Sequence, residues 1–197
     1  MNQSQSKSQV AYPIVGMING KPVYRAEIPN VNRFQTAFKN QMQSQWCWAA
    51  CVSNIFAYHN HPLAQKTIVK TVYGSEVNLP SFTARRIAEQ LNRVWQDDNG
   101  KTFRATLTAA YDAVEHVYAI NNSFLISEMK RGHPVIYCNQ QHAMVITAVD
   151  FIDDQVVGVG VYDPWPQPVN SRLLTGKEIV MVERGGTMTF LGSVNLS

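Results

Sequence analysis

A chain of 197 residues with 45% hydrophobic and 16% charged residues carries enough apolar material for a folded core and lacks the charge-rich composition of disordered chains. Its net charge of +3 is small and its lysines and arginines are scattered, which excludes the concentrated basic footprint of a nucleic-acid binder or an anionic-membrane binder. No apolar run approaches the ~20 residues that span a bilayer.

The opening MNQSQSKSQV has no hydrophobic h-region, so the general secretory signal pattern is absent there. We expect a flexible tail over residues 1–12 and a single domain over 13–197. The expected location is the cytoplasm, or outside the cell by a route independent of that signal. Three cysteines are an odd number, so a disulfide framework is not expected and at least one thiol is free.

Asn19-Gly20, between IVGMI and KPVYRA, predicts a hairpin, because a type I′ turn needs two positive φ angles. Pro22 then places the second strand at an edge. Residues 30–45 are polar, with Phe34 and Phe38 as anchors. A helix is predicted from about Trp46 to His59, apolar on all faces and therefore buried. Further helices are predicted at Pro62–Tyr73, stopped by Gly74, and at Thr83–Trp95, followed by a turn at Asp97–Gly100. Residues 101–120 fit strand or helix. A short helix over Ser123–Arg131 ends on Gly132. Beyond it the period changes, and Pro134–Asn139, His142–Ile152, Val156–Asp163, Glu178–Glu183 and Thr187–Val194 read as strands. Helices first and strands afterwards indicate an α+β domain.

Cys47 stands where a polar loop enters the buried helix. Unpaired N–H groups and the helix dipole at such a point stabilise a thiolate and a developing oxyanion. A thiolate needs a base, and the base needs an orienter. His142 opens the apolar strand HAMVITAVDFI, and a two-residue loop at Asp153-Asp154 would pair Ile152 with Gln155. Asp163 would then lie diagonally beside His142, on the same face. Asp150, Asp153 and Asp154 are weaker orienters, since two of them form the turn. Cys51 and Cys138 read as buried and inert, and His116 and His133 as surface or turn residues. His59 and His61 lack zinc-ligand spacing, so no metal is expected. Gly185-Gly186 reads as a turn.

Gln41, six residues before Cys47-Trp48, followed in order by His142-Ala143 and Tyr162-Asp163-Pro164-Trp165, resembles the signature of papain-like cysteine peptidases. Gly132-His133-Pro134-Val135-Ile136 is similar to the lead-in found in compact bacterial relatives, the double-glycine leader peptidases and the avirulence-type effector proteases. The likeness spans roughly residues 41–165. It implies a papain-like α+β fold with a helical lobe and an antiparallel sheet lobe meeting at a cleft. It implies Cys47 as nucleophile, His142 as base, Asp163 as orienter and Gln41 as oxyanion donor, with Gln45 as the competitor for that last role. The implied partner is a protein or peptide substrate, with no nucleic acid, membrane or cofactor. Gln141 stands where relatives often carry Gly, and the loop lacks the Gly-Ser-Cys run of papains, which leaves specificity open. Three alternatives stay open: a deamidase or transglutaminase on the same residues, an inactive papain-like binding module, and an unrelated α+β interaction protein.

Overall fold

The structure, a computed structural model, describes residues 12–197. The expected tail therefore lies outside the described residues except for Tyr12, whose ring packs edge-on against Phe151 at 5.1 Å. The hairpin forms as read: β1 (Ile14–Ile18) and β2 (Lys21–Glu27) pair antiparallel through Asn19 and Gly20, at φ +50° and +75°. β2 is not an edge strand, however, because Tyr24–Glu27 also pair with β7 (Ala143–Ile152). Pro22 is accommodated because it lies before that second ladder begins, where its missing N–H has no partner to disappoint.

Four helices follow. α1 (Val31–Ala37) is a short helix that the polar sequence did not announce, and its Phe34 is buried against Tyr162 and Tyr58. α2 (Cys47–Tyr58) buries most of its residues, as all-round apolarity requires, and packs on α1, α3, α4 and β7. α3 (Gln65–Tyr73) starts three residues later than expected and ends on Gly74 in the left-handed region. α4 (Ala84–Gln90), capped by Thr83, stops well short of Trp95. Trp95 belongs instead to β3 (Val94–Gln96): its indole donates to the Gln90 carbonyl at 3.0 Å and its ring packs on Phe56, which ends the helix.

The ambiguous stretch resolves into β4 (Thr102–Asp112) and β5 (Val117–Tyr118). α5 (Asn122–Arg131), closed by Gly132 at φ +78°, packs on β2 and β7. β6 (Val135–Asn139), β7 and β8 (Gln155–Tyr162) then form a meander. β9 (Ser171–Leu174), which the sequence did not suggest, pairs with β8. Residues 178–183 are not a strand. They lie in and between two 3-10 turns, Gly176–Ile179 and Val182–Arg184, with Met181 between them bridging to Met188 and with Gly176 and Gly185 at positive φ. Gly185-Gly186 closes the second turn, and a Cβ on Gly186 would stand 1.9 Å from the Val180 carbonyl oxygen, so the chain reverses here too tightly for a ladder.

β10 (Met188–Leu196) runs between β6 and β4, in the middle of the order β1-β2-β7-β6-β10-β4-β3. Among the described residues, five helices on a ten-stranded antiparallel sheet make a mixed α+β architecture consistent with a papain-like peptidase.

Candidate active site

The pre-cysteine loop is held by buried amides. Asn54, on α2, donates to the Lys39 carbonyl and accepts from the Lys39 N–H at 2.8 Å. Gln65, on α3, does the same for Asn40 and Met42. Trp46 and Trp48 flank Cys47 and anchor the opposite loop, their indoles donating to the carbonyls of Val77 and Leu79. Cys47 is thus the first residue of α2, half-buried, in a helix start without a side-chain cap. The first-turn N–H groups of such a helix have no intrahelical acceptor.

Gln41 is buried, at 6% exposure, and its backbone N–H bonds the Pro164 carbonyl at 2.8 Å, which ties the loop to the segment after Asp163. Its side-chain amide donates to the carbonyls of Gln43 and Ser44 at 2.9 and 3.0 Å, while its buried Oε1 has no partner among the described residues. Both amide hydrogens are therefore engaged with the loop. Gln45 is exposed, its N–H bonded to Asn78.

His142 immediately precedes β7. The Asn139 side chain accepts from the N–H groups of Gln141 and His142, a local turn that aims the imidazole out of the β6–β7 connection. Asp163 immediately follows β8, and Tyr162 beside it packs on Phe34 and Phe38. Ile152 pairs with Gln155 as expected, but the ladder between β7 and β8 shifts register twice. The two shifts cancel, because one adds a residue to β7 and the other to β8. His142 Nε2 accordingly lies 2.6 Å from Asp163 Oδ1. Cys47 lines the same cavity as His142, and with Nε2 turned to Asp163 the ring nitrogen left to meet the thiol is Nδ1.

Burial pulls the His142 pKa down, but the hydrogen bonds and negative charge of Asp163 and Cys47 outweigh it and raise the imidazole to about 9. Burial pushes Asp163 up, yet the bonds from His142 and the Trp165 N–H, with the charges of His142 and Arg172, hold its carboxyl below its ordinary value. The imidazole is therefore biased toward its protonated form, a counter-charge for a thiolate.

Cys47 and His142 line one cavity of about 530 Å³, together with the exposed side chains of Phe82 and Val114, at 66% and 77%. Phe82 sits at φ +61°, and the Arg86 guanidinium lies between it and Tyr73. Cavities without Cys47 or His142 exist elsewhere, one of about 590 Å³ at the start of α5.

The other candidates are placed apart from this chemistry, except Cys138, which lines the same cavity. Asp150 forms a bidentate pair with Arg25, and Asp153 pairs with Lys21. Cys51 is fully buried and its thiol is pushed up by burial first, as is that of Cys138, which lines the cleft wall. His61 bonds Asp97 at 3.2 Å and stacks on Phe103. His116 lies exposed in a turn at φ +54°. His133 is tethered to buried Glu128 at 3.1 Å rather than free on the surface. Among the described residues no group of three or more His, Cys, Asp or Glu side chains is arranged to hold a metal ion.

Sequence reasoning missed Asn54, Gln65, Asn170 and Arg172. Asn54 was detectable as a polar residue inside an otherwise apolar helix. Asn170, which bonds Asn40 and the carbonyls of Asp163 and Trp165, and Arg172 lie on a segment with no periodic signal.

The model of the Peptidase_C39 like family matches residues 26–177. The chain belongs to that family. The matched span of this C39-like chain includes Gln41, Cys47, His142 and Asp163 and ends before β10. A search of curated proteins found no match.

Proposed function

We propose that the C39-like chain is a thiol endopeptidase in which Cys47, His142 and Asp163 act as a catalytic triad on a protein or peptide substrate. The observation that carries this reading is the 2.6 Å contact of Asp163 with the His142 ring, which shares one cavity with Cys47 at an uncapped helix start. His142 holds the thiolate as an ion pair. The Cys47 sulfur attacks the scissile carbonyl carbon, and the tetrahedral oxyanion is received by the Cys47 N–H and by Gln41. Gln41 serves there by releasing one of its two loop carbonyls. The C–N bond then breaks as His142 protonates the leaving amine. Water, deprotonated by His142, hydrolyses the acyl-enzyme and restores the thiolate. Asp163 fixes the imidazole tautomer throughout.

The finer likeness to double-glycine leader peptidases and avirulence-type effector proteases suggests a polypeptide substrate, met in the cytoplasm or after export by a route without a general secretory signal. A peptide library incubated with and without an epoxide thiol inactivator, and analysed by mass spectrometry, tests the reading. New peptide N-termini from the wild type, none from Cys47→Ala, and the epoxide on Cys47 are expected. Released ammonia or cross-linked products in place of new N-termini would assign the site to amide chemistry on glutamine side chains.

A further inference from the structure

Asp163 has two carboxylate oxygens, and the triad uses one. Oδ1 accepts from His142 Nε2 at 2.6 Å and from the Trp165 N–H at 2.9 Å. Oδ2 faces Arg172 Nε at 3.8 Å. Arg172 stands opposite Val161 in the β8–β9 ladder, and Asp163 continues from β8 two residues later. Its guanidinium is fixed from two further sides, donating to Glu178 at 2.9 Å and reaching the Met144 sulfur at 3.5 Å. Met144 is on the strand that His142 opens, so one side chain braces both strands that deliver the base and its orienter.

We propose that Arg172 is a positioning residue, a fourth member of the site that holds Asp163 ionised and turned toward His142 through the whole catalytic cycle. This rests on the triad reading above. The reason lies in how charge moves. While His142 is an imidazolium, Asp163 has a counter-ion. Once His142 has given its proton to the leaving amine, a buried carboxylate would face a neutral ring, and an isolated buried charge is costly. It would then take up a proton or turn toward water. Arg172 supplies the counter-charge at that stage, and supplies it to the oxygen that His142 does not use. A guanidinium stays charged at every pH at which the enzyme folds.

The test reads the cysteine first and the peptidase second. Iodoacetamide alkylation of Cys47 in the full chain, followed from pH 4 to 9, reports the thiolate–imidazolium pair without needing a substrate. With Arg172→Met, and with Arg172→Gln as the second uncharged variant should the first not fold, the acid-side midpoint of alkylation should rise by about half a pH unit or more. Arg172→Lys keeps a charge and should recover most of that shift. Glu178→Gln cuts the other ion pair while leaving Arg172 in place, and its midpoint should match the wild type. Where peptide cleavage is measurable, kcat should fall about tenfold in the uncharged variants with KM unchanged. An uncharged variant whose alkylation profile overlays the wild type sinks the proposal, as does an equal shift in Glu178→Gln, which would make Arg172 a scaffold for the 176–179 turn. Absence of peptidase activity alongside the expected alkylation shifts would overturn the peptidase reading and leave Arg172 in its role.

Discussion

Three thiols in one chain meet two kinds of environment, and the environment decides which of them reacts. Cys51 and Cys138 are buried with thiols pushed up by desolvation, whereas Cys47 opens onto the cleft beside an imidazole raised to about 9. Iodoacetamide at neutral pH should therefore modify Cys47 first, and a tryptic map in which Cys138 is modified first would contradict the assignment. Gln41 is a harder case, because its amide both fastens the loop and is the proposed oxyanion donor. Gln41→Ala should lower kcat by roughly 10²–10³-fold with little change in KM, while Cys47 alkylation, which forms no oxyanion, keeps its rate. Gln45→Ala is the control and should behave as wild type. A parallel collapse of kcat and alkylation in Gln41→Ala would reduce Gln41 to loop structure. His59 makes a prediction about acid. Burial first, then the neighbouring charges of His133, Arg33 and His61, lower its pKa from 6.5 to about 4. Between those values the unfolded chain binds a proton that the folded chain refuses, so stability falls as pH falls through that window. In His59→Phe the difference in urea midpoint between pH 7 and pH 5 should shrink, and an unchanged difference would place the acid sensitivity elsewhere.

The elements most readable in the sequence are those whose burial is uniform. α2 and β7 are enclosed by the core, so nearly every position is apolar, and length separates helix from strand. α1 and β9 escaped because each is short and only one residue of each is buried, too little for a period to be seen. The run Ile179–Val182 looked like a strand for the opposite reason. Its apolar side chains roof a cavity against the sheet, which needs the residue types of a strand but not its ladder. The contact of His142 with Asp163 was legible only through parity, since the straight ladder it assumed is absent and two opposed bulges restore the register. What no pattern announced was the polar carpentry around the site, the amides of Asn54, Gln65 and Asn170 that each fix a loop by two or three bonds. β10 supplies the prediction at this scale. A Cβ on Gly192 would meet Ile136 and the Phe190 ring at 3.0 Å, so Gly192→Ala should overpack the β6–β10 contact and cost about 1–3 kcal/mol. A melting temperature equal to the wild type would mean that the sheet yields there.

For the molecule as a whole, the position of β10 outweighs its distance along the chain. The family match ends at residue 177, yet residues 188–196 form a strand between β6 and β4, and β4 reaches the rest of the sheet through it. Deleting residues 187–197 should therefore leave a chain that binds ANS and lacks near-UV circular dichroism. A truncated chain that still unfolds cooperatively and still presents a reactive Cys47 would contradict the central role of the strand. The same placement sets a clock during synthesis. Translation proceeds at roughly 5–20 residues per second, so the ~150 residues separating Cys47 from the end of β10 take on the order of ten seconds to emerge. Until then β6 and β4 have no shared neighbour, and the wall carrying His142 is unfinished. Through that interval Cys47 has emerged while the sheet behind its proposed base is still incomplete. Late completion of a central strand thus delays assembly of the wall behind the cleft until residues 188–196 have emerged.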